Sequence, residues 1–319
     1  MVIRPFGLRH VLTVRRLQRS GIWLDLFHYL LLRRSALTTA LIAPVPWVGT
    51  GLASYVWEAD GSAQGFIQML RRPGRQEADL LFLAPAADVQ FASATAWTKL
   101  VSYCIQDAGQ HEMRRLFASL PMDGAAIDLL TALGFATYSN EDVLVLNRPP
   151  RSADAPPIPG LRPRGAEDVW WLRRLYGIYT PMPVQHSEGL NDGAGPTDLS
   201  LAWWELVARQ GYVLEESGDI TGGVQLVSGR GGHWLLLHGD PGNGSLMATL
   251  VRQGLSVAAG KRRPVYCAVR DYQGGLRATL QDAGFEPFDR RARMVKHLTM
   301  RVKAAETVTV PGMVTERHG

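Results

Sequence analysis

The chain contains two copies of one sequence pattern. The fifteen residues from Ile3 to Leu17 match those from Leu161 to Leu175 at seven positions, at an offset of 158. Further along, the segments that begin at Asp123 and Gln273 share a Gly, a Leu and a closing Gly-Phe pair at an offset of 150. Because the two matches occur in the same order and at nearly the same offset, we predict a duplicated domain.

A proline-rich segment separates the two copies. Residues Asn147 to Gly160 include five prolines in fourteen positions, which excludes both a helix and a central strand. We therefore predict an N-terminal domain at 1–147, an extended linker at 148–160 and a C-terminal domain at 161–303. Residues 304–319 end in polar side chains, and we expect them to form a mobile tail.

Composition and charge limit the class of protein. Hydrophobic residues make up 46% of the 319 positions and charged residues 20%, which are values typical of globular domains. The two cysteines, Cys104 and Cys267, are too few for a disulfide scaffold or a zinc ribbon, so we interpret them as free thiols in a reducing, cytoplasmic location. The net charge of +5 is spread over both halves, and we therefore expect no nucleic-acid partner.

Two segments have the apolar character that contact with a membrane requires. The uncharged stretch from Ala36 to Trp57 is long enough to span a bilayer, but Pro44 and Pro46 would break its helix, so we predict no transmembrane segment. Residues 22–34 have the apolar spacing of an amphipathic helix flanked by arginines. We interpret this helix as part of the core, and the alternative is contact with a membrane surface through residues 22–34.

The periodicity of each copy predicts the order β-α-α-β-β-β-α-β-α-β. In the second copy this includes a long loop at Pro181–Asp198 and a helix at Leu199–Arg209. The order, the strand, loop, helix and Gly-Phe of Val265–Phe285 and Leu116–Phe135, and the Arg-Pro pair that opens each copy resemble the acyl-CoA N-acyltransferase (GNAT) superfamily. The resemblance covers nearly the whole chain. It implies two tandem GNAT-like α/β domains, each a mixed, mainly antiparallel sheet flanked by helices.

The resemblance also implies acetyl-CoA as the co-substrate. GNAT proteins hold its pyrophosphate in a glycine-containing turn between the fourth strand and the next helix, where backbone N–H groups collect an anion. In the second copy this junction runs from His238 to Leu250, and Gly239 stands where the family motif has Gln or Arg. The alternative is an ordinary turn with Ser245 as the helix N-cap. The implied cofactor-binding residues are Leu237, His238, Gly242, Asn243, Gly244 and Ser245.

The corresponding junction of the first copy differs in composition. It has no glycine, and Asp88 would oppose a phosphate. We therefore expect the N-terminal domain to be non-catalytic and to bind no acyl-CoA.

The candidate catalytic residues differ from those of the family pattern. Many members protonate the leaving thiolate with a tyrosine four residues before the Gly of Gly-Phe, where this chain has Leu130 and Leu280. Tyr272, in the loop before the last helix, is the candidate replacement, and the alternative is a packing tyrosine. His233, at the start of the fourth strand, is the candidate base because the unperturbed pKa of a histidine is about 6.5. Its alternative role is that of a solvated residue at a strand end.

The family places contacts with the acceptor in the loop that here carries His186, Glu188 and Asp192. Their spacing is not that of a helical metal site, and we predict no metal. The resemblance therefore implies an N-acetyltransferase acting on a small-molecule or peptide amine from a site in the C-terminal domain. The alternative is a catalytically degenerate tandem module that binds a ligand or protein. A transferase that uses charged transfer RNA is a third option, disfavoured by the mild net charge.

Overall fold

A computed structural model describes residues 2–42, 51–59, 62–86, 91–122, 125–152, 157–189 and 208–298. The N-terminal copy supplies five helices: α1 (Val11–Leu17), α2 (Leu26–Leu32), α3 (Ala36–Ile42), α4 (Phe91–Gln110) and α5 (Ala125–Ala132). Its strands are β1 (Val2–Pro5), β2 (Ile22–Trp23), β3 (Leu52–Ala59), β4 (Ser62–Arg71), β5 (Glu77–Ala84), β6 (Arg115–Pro121) and β7 (Ala136–Leu146).

The C-terminal copy repeats this arrangement. Its strands are β8 (Leu161–Pro163), β9 (Ala208–Glu216), β10 (Asp219–Ser228), β11 (His233–Gly239), β12 (Val265–Arg270) and β13 (Glu286–His297). Its helices are α6 (Val169–Tyr179), α7 (Met182–Glu188), α8 (Gly244–Ala258) and α9 (Gly274–Asp282).

The described strands form one continuous mixed sheet. Their order is β1-β3-β4-β5-β6-β13-β7-β12-β11-β10-β9-β8, and β2 pairs with β5. Equivalent strands of the two copies stand in mirror-image positions along this order, so the two halves share one strand order. Within the described part, β5 pairs with β6 and β11 with β12 in parallel, and the other pairs are antiparallel. The predicted fold class, a mixed and mainly antiparallel sheet in each copy, is confirmed.

The two copies exchange their last strands, which the sequence did not predict. Strand β13 of the second copy lies between β6 and β7 of the first, with Lys296 opposite Leu116. Strand β7 of the first copy pairs in turn with β12 of the second, with Leu144 opposite Cys267. Each half therefore completes the sheet of the other. The boundaries at 147 and 161 divide the two sequence repeats, and they stay a prediction. They do not describe the exchange of strands between the two copies.

The core is built by helices packed on the sheet at apolar spacings. In α4, Trp97, Leu100 and Val101 are buried against the first copy's strands, and in α8, Met247 and Leu250 are buried against the second's. The positions are three or four residues apart, so they share one face of each helix. These helices fix the strands whose ends form the candidate site.

The helix predicted within residues 22–34 is a core helix. Leu24, Phe27, Leu30 and Leu31 are buried, and α2 packs against the side of the second copy that carries Trp234. The apolar face proposed for a membrane surface is therefore covered by protein, and the alternative of membrane contact through residues 22–34 is wrong for these side chains. Among the described helices, none combines the length and the hydropathy needed to cross a membrane.

The loop predicted at Pro181–Asp198 contains the short helix α7, which begins after Pro181. Pro183, in the first turn of α7, is favourable there because an N–H at this position would have no acceptor within the helix. The helix predicted at Leu199–Arg209 lies outside the described residues up to position 207, and residues 208 and 209 already belong to β9. The predicted tail at 304–319 also lies outside them.

Candidate functional site

The parallel strands of each copy separate after a short paired region. Strands β11 and β12 pair from His233 opposite Val265 to Leu235 opposite Cys267, and no further. The N–H of His233 donates to the carbonyl of Pro264 on the β12 side, at 2.8 Å. Because a strand alternates the direction of its N–H groups, the N–H of Leu237 points to the same side, beyond the last paired residue. The edge of β11 is therefore open at Leu237.

In the N-terminal copy the equivalent opening is filled by the chain itself. Strands β5 and β6 also pair at three positions only. Beyond them, Ile22 of β2 pairs with Leu83 of β5. The N–H of Leu24 donates to Leu81 of β5, and the carbonyl of Leu24 accepts from Ser119 of β6, both at 2.8 Å. The segment around β2 thus bonds to both separated strands and closes the opening.

The opening in the C-terminal copy leads into a cavity of about 240 Å³. Its walls include residues 234–239 of β11, 267–268 and Arg270 of β12, and Tyr176 of α6. The exchanged strand β7 adds Tyr138 and Glu141 from the first copy. The cavity is therefore formed by both copies.

A buried glutamate occupies one wall of this cavity. Glu188, the last residue of α7, accepts hydrogen bonds from Tyr176 Oη at 2.5 Å, Tyr138 Oη at 3.2 Å and Arg270 Nη2 at 2.8 Å. Burial alone would favour the neutral acid. The positive charges of Arg270 and Arg293 and the hydrogen bonds outweigh that effect, and they lower the pKa of Glu188 to about 2. Glu188 is therefore ionised at neutral pH.

A second carboxylate links the arginines of two strands. Glu141 lies 3.5 Å from Arg270 Nε and 3.7 Å from Arg293 Nη1. Arg293 Nε also donates to Tyr138 Oη at 3.3 Å. Charged side chains from α7, β7, β12 and β13 thus form one network at the end of the opening, and the network holds Arg270 in place.

No protein-family model matches the chain, and no curated protein sequence is significantly similar to it. Several solved structures, in contrast, are similar to the chain. A tandem GNAT protein from the clavulanic acid biosynthesis pathway aligns with 94% of this chain and 99% of its own, at 15% identity and a TM-score of 0.52. A GCN5-related N-acetyltransferase from Sphaerobacter thermophilus aligns with 96% of this chain and 98% of its own, at 15% identity and a TM-score of 0.56. The chain has the tandem GNAT fold. The resemblance inferred from the sequence is confirmed at the level of the fold.

Tyr272 is one of the residues in the cavity wall of this GNAT fold. It belongs to the 3₁₀ turn Asp271–Gln273 between β12 and α9, and it lines the cavity. The carboxylate of Asp271 accepts from the N–H of Asn140 at 3.0 Å, which ties the turn to β7. Burial raises the pKa of Tyr272, against a smaller opposing effect of Arg270. Its hydroxyl is therefore protonated at neutral pH and able to donate.

The turn before α8, which the sequence analysis expected to hold an anion, differs from the expectation in two respects. Its helix begins at Gly244, and Asn243 rather than Ser245 is the N-cap, because Asn243 Oδ1 accepts from the N–H of Leu246 at 3.0 Å. Asp240 Oδ1 accepts from the N–H of Gly242 at 2.9 Å. Among the described residues, the N–H groups of Gly244 and Ser245 have no acceptor. Two donors remain for an anion, beside the negative charge of Asp240.

The structure does not support His233 as the base. His233 is 3% exposed, and its Nδ1 lies 2.8 Å from Ser228 Oγ at the closed end of the opening. Burial, with the charges of Lys261 and Arg263, lowers its pKa to about 4. It does not line the cavity, so it is separated from Tyr272. The sequence places a histidine near each end of β11, but it does not show at which end β11 separates from β12.

His238, at the other end of β11, does line the cavity together with Leu237. Burial and the charge of Arg164 lower the pKa of His238 to about 4, so its imidazole is neutral at pH 7. Of the three candidate acceptor contacts, Glu188 lies in the cavity wall, His186 does not, and Asp192 is outside the described residues. No sequence motif indicated that Arg270, Arg293, Glu141 and Tyr138 belong to the candidate site, because these residues come from three separate strands.

Proposed function

We propose that the chain is an acyl-CoA-dependent N-acyltransferase that transfers an acetyl group to an amine in the cavity between β11 and β12. One observation carries the proposal: the strand edge at Leu237 is open and leads into a charged cavity, whereas β2 closes the equivalent opening of the first copy. We accordingly assign the active site to the C-terminal copy and propose that the N-terminal copy binds no acyl-CoA.

The residues around the opening fit an acyl-CoA. The amide-containing arm of such a molecule pairs with an open strand edge as an added strand does, and the N–H of Leu237 is the donor available for it. The N–H groups of Gly244 and Ser245, at the start of the 15-residue helix α8, suit the pyrophosphate. The carboxylate of Asp240 is unfavourable at this place, and it should weaken binding without blocking these donors.

Acyl transfer forms a bond between the amine nitrogen and the acyl carbon and breaks the bond from that carbon to sulfur. The nitrogen loses one proton and the sulfur gains one. We assign proton donation to Tyr272 Oη, because Tyr272 lines the cavity and burial keeps its hydroxyl protonated. The nitrogen becomes far more acidic once it is bonded to the acyl carbon, so a weak base such as the neutral His238 is sufficient to take its proton.

Calorimetry with acetyl-CoA and thiol release with a panel of amines test the proposal on the full-length protein. Gly244→Glu should abolish acetyl-CoA binding by placing a negative charge at the pyrophosphate donors. A Cβ at Gly244 has no heavy atom within 4 Å, and neither has one at Gly109 in α4, so Gly109→Glu is the matched control. Binding that survives Gly244→Glu, or is lost equally in Gly109→Glu, would contradict this site.

A second candidate is the catalytically degenerate binding module. It is favoured by the charge of Asp240 and by the close contact of the turn with α9, where a Cβ on Gly275 would stand 2.5 Å from the Pro241 carbonyl oxygen. Absence of any heat with acetyl-CoA at millimolar concentration would favour this module over the transferase.

A further inference from the structure

The cavity beyond the opening carries balanced charge. Its described lining includes four carboxylates, those of Asp25, Asp79, Glu141 and Glu188. It also includes four guanidinium groups, those of Arg72, Arg75, Arg270 and Arg293. A ligand with a net charge of one sign would upset this balance, whereas a ligand with one charge of each sign would not.

The carboxylates in the lining already have side-chain partners. Asp25 lies 2.6 Å from His28, Asp79 lies 2.7 Å from Arg72, and Glu188 lies 2.8 Å from Arg270. Glu141 lies between Arg270 and Arg293. No carboxylate is therefore left as a dedicated site for a ligand that is only a cation.

One arginine has an unused donor. Nη2 and Nε of Arg270 face Glu188 and Glu141, but Nη1 is buried and has no hydrogen-bond partner in the described part of the chain. A buried guanidinium N–H without an acceptor is unfavourable, and a carboxylate is its strongest partner. Arg270 is itself one of the residues that line the cavity.

His238, a second residue of the cavity lining, also has a buried polar atom without a partner in the described part of the chain. Nε2 of His238 is buried without a partner, and the imidazole is neutral at pH 7. In one tautomer, Nε2 donates to an anionic oxygen, and in the other it accepts from an amine. Both tautomers suit a small ligand that carries the two groups.

We infer that the acceptor is an amine that also carries a carboxylate, of amino-acid type, and that Arg270 Nη1 binds the carboxylate. This inference rests on the proposed function for the amine and on Arg270, His238 and the balanced lining for the carboxylate. The volume of about 240 Å³ is below the range of about 300–1,000 Å³ that is typical of small-molecule pockets, which favours a single amino acid over a peptide.

The test uses full-length protein, acetyl-CoA and pairs of acceptors that differ only in the carboxylate, such as phenylalanine with phenethylamine and lysine with cadaverine. We expect kcat/KM, measured by thiol release, to be at least about tenfold higher for the member with the carboxylate. Arg270→Lys keeps the positive charge beside Glu188 but removes Nη1, so it should abolish the preference. Arg290→Lys, at a side chain that is 69% exposed and outside the cavity, should keep it.

Calorimetry with N-acetylphenylalanine in the absence of acetyl-CoA separates this inference from the proposed function. We expect the wild type to bind it at least about tenfold more tightly than Arg270→Lys does. Equal kcat/KM within each pair would overturn the inference and leave the transferase standing. No acyl transfer, together with binding that depends on Arg270, would support the carboxylate site at Arg270 and overturn both the transferase and the assignment of an acceptor. No transfer and no binding would overturn both. If Arg270→Lys fails to fold, the wild-type comparison within the pairs decides.

Discussion

Replacing Asp240 by Asn should strengthen the binding of acetyl-CoA. The Asp240 carboxylate lies in the turn whose free N–H groups, those of Gly244 and Ser245, are assigned to the pyrophosphate. Two like unit charges about 5 Å apart repel by about 0.8 kcal/mol in water and by about 3 kcal/mol near a protein surface. Asp240 is half-exposed, which places it toward the lower value. For the two charges of a pyrophosphate we expect about 1–2 kcal/mol, or a dissociation constant about 5- to 30-fold lower.

The substitution is mild for the fold. Asn keeps an Oδ1 acceptor for the N–H of Gly242, so the turn is retained. The assay is calorimetry of acetyl-CoA at two salt concentrations, and the gain should shrink at high salt because exposed charges are screened. Asp128→Asn, at an exposed position of α5 in the other copy, is the matched control. An unchanged or weaker affinity in Asp240→Asn would show that the pyrophosphate does not lie at this turn.

Four further outcomes follow from the structure. Protease cleavage at a site engineered into the 148–160 linker should leave the halves associated in size-exclusion chromatography, and separation would contradict the strand exchange. Leu24→Ala should lower the free energy of unfolding by about 2–5 kcal/mol in urea titrations, with unchanged affinity for acetyl-CoA. Since the pKa of Glu188 is lowered from 4.5 to about 2, its stabilisation is present above pH 4.5 and lost as the pH falls toward 2. Glu188→Gln should therefore flatten the acid dependence of the thermal midpoint. His233→Gln should change kcat/KM by less than about twofold, since His233 lies outside the cavity, whereas a positioned base is worth about 10²-fold or more.

The duplicated order of elements was predictable because it depends on local features. Apolar spacing marks the helices, glycine and proline mark the turns, and the repeat shows which elements correspond. The exchange of β7 and β13 was not predictable. Each of these strands buries apolar residues, and its sequence pattern does not specify whether it pairs with β6 of the first copy or with the equivalent strand β12 of the second. The two residues of β2 are too few to show a period.

Sequence reasoning reached the parts of the candidate site that lie in one continuous segment, and it missed the parts that do not. The turn at Gly242–Ser245 and Tyr272 belong to segments that the family resemblance marks. The network around Glu188 depends on side chains from α7, β7, β12 and β13, which only the folded sheet brings together. The choice of His233 as the candidate base has a similar cause, because only the pairing of β11 with β12 shows which strand end opens.

The exchange of strands gives the closed N-terminal copy a role in the site of the other copy. Strand β7 lies beside β12, and its Glu141 stands opposite Arg270, at the point where β12 leaves β11. Tyr138 and Glu141 therefore hold Arg270 and Arg293 at the wall of the open cavity. A C-terminal half without β7 would expose the edge of β12 and leave Arg270 with one carboxylate in place of two. The first copy therefore contributes to the cavity of the second copy whether or not it binds acyl-CoA, because its last strand, β7, forms one wall of that cavity.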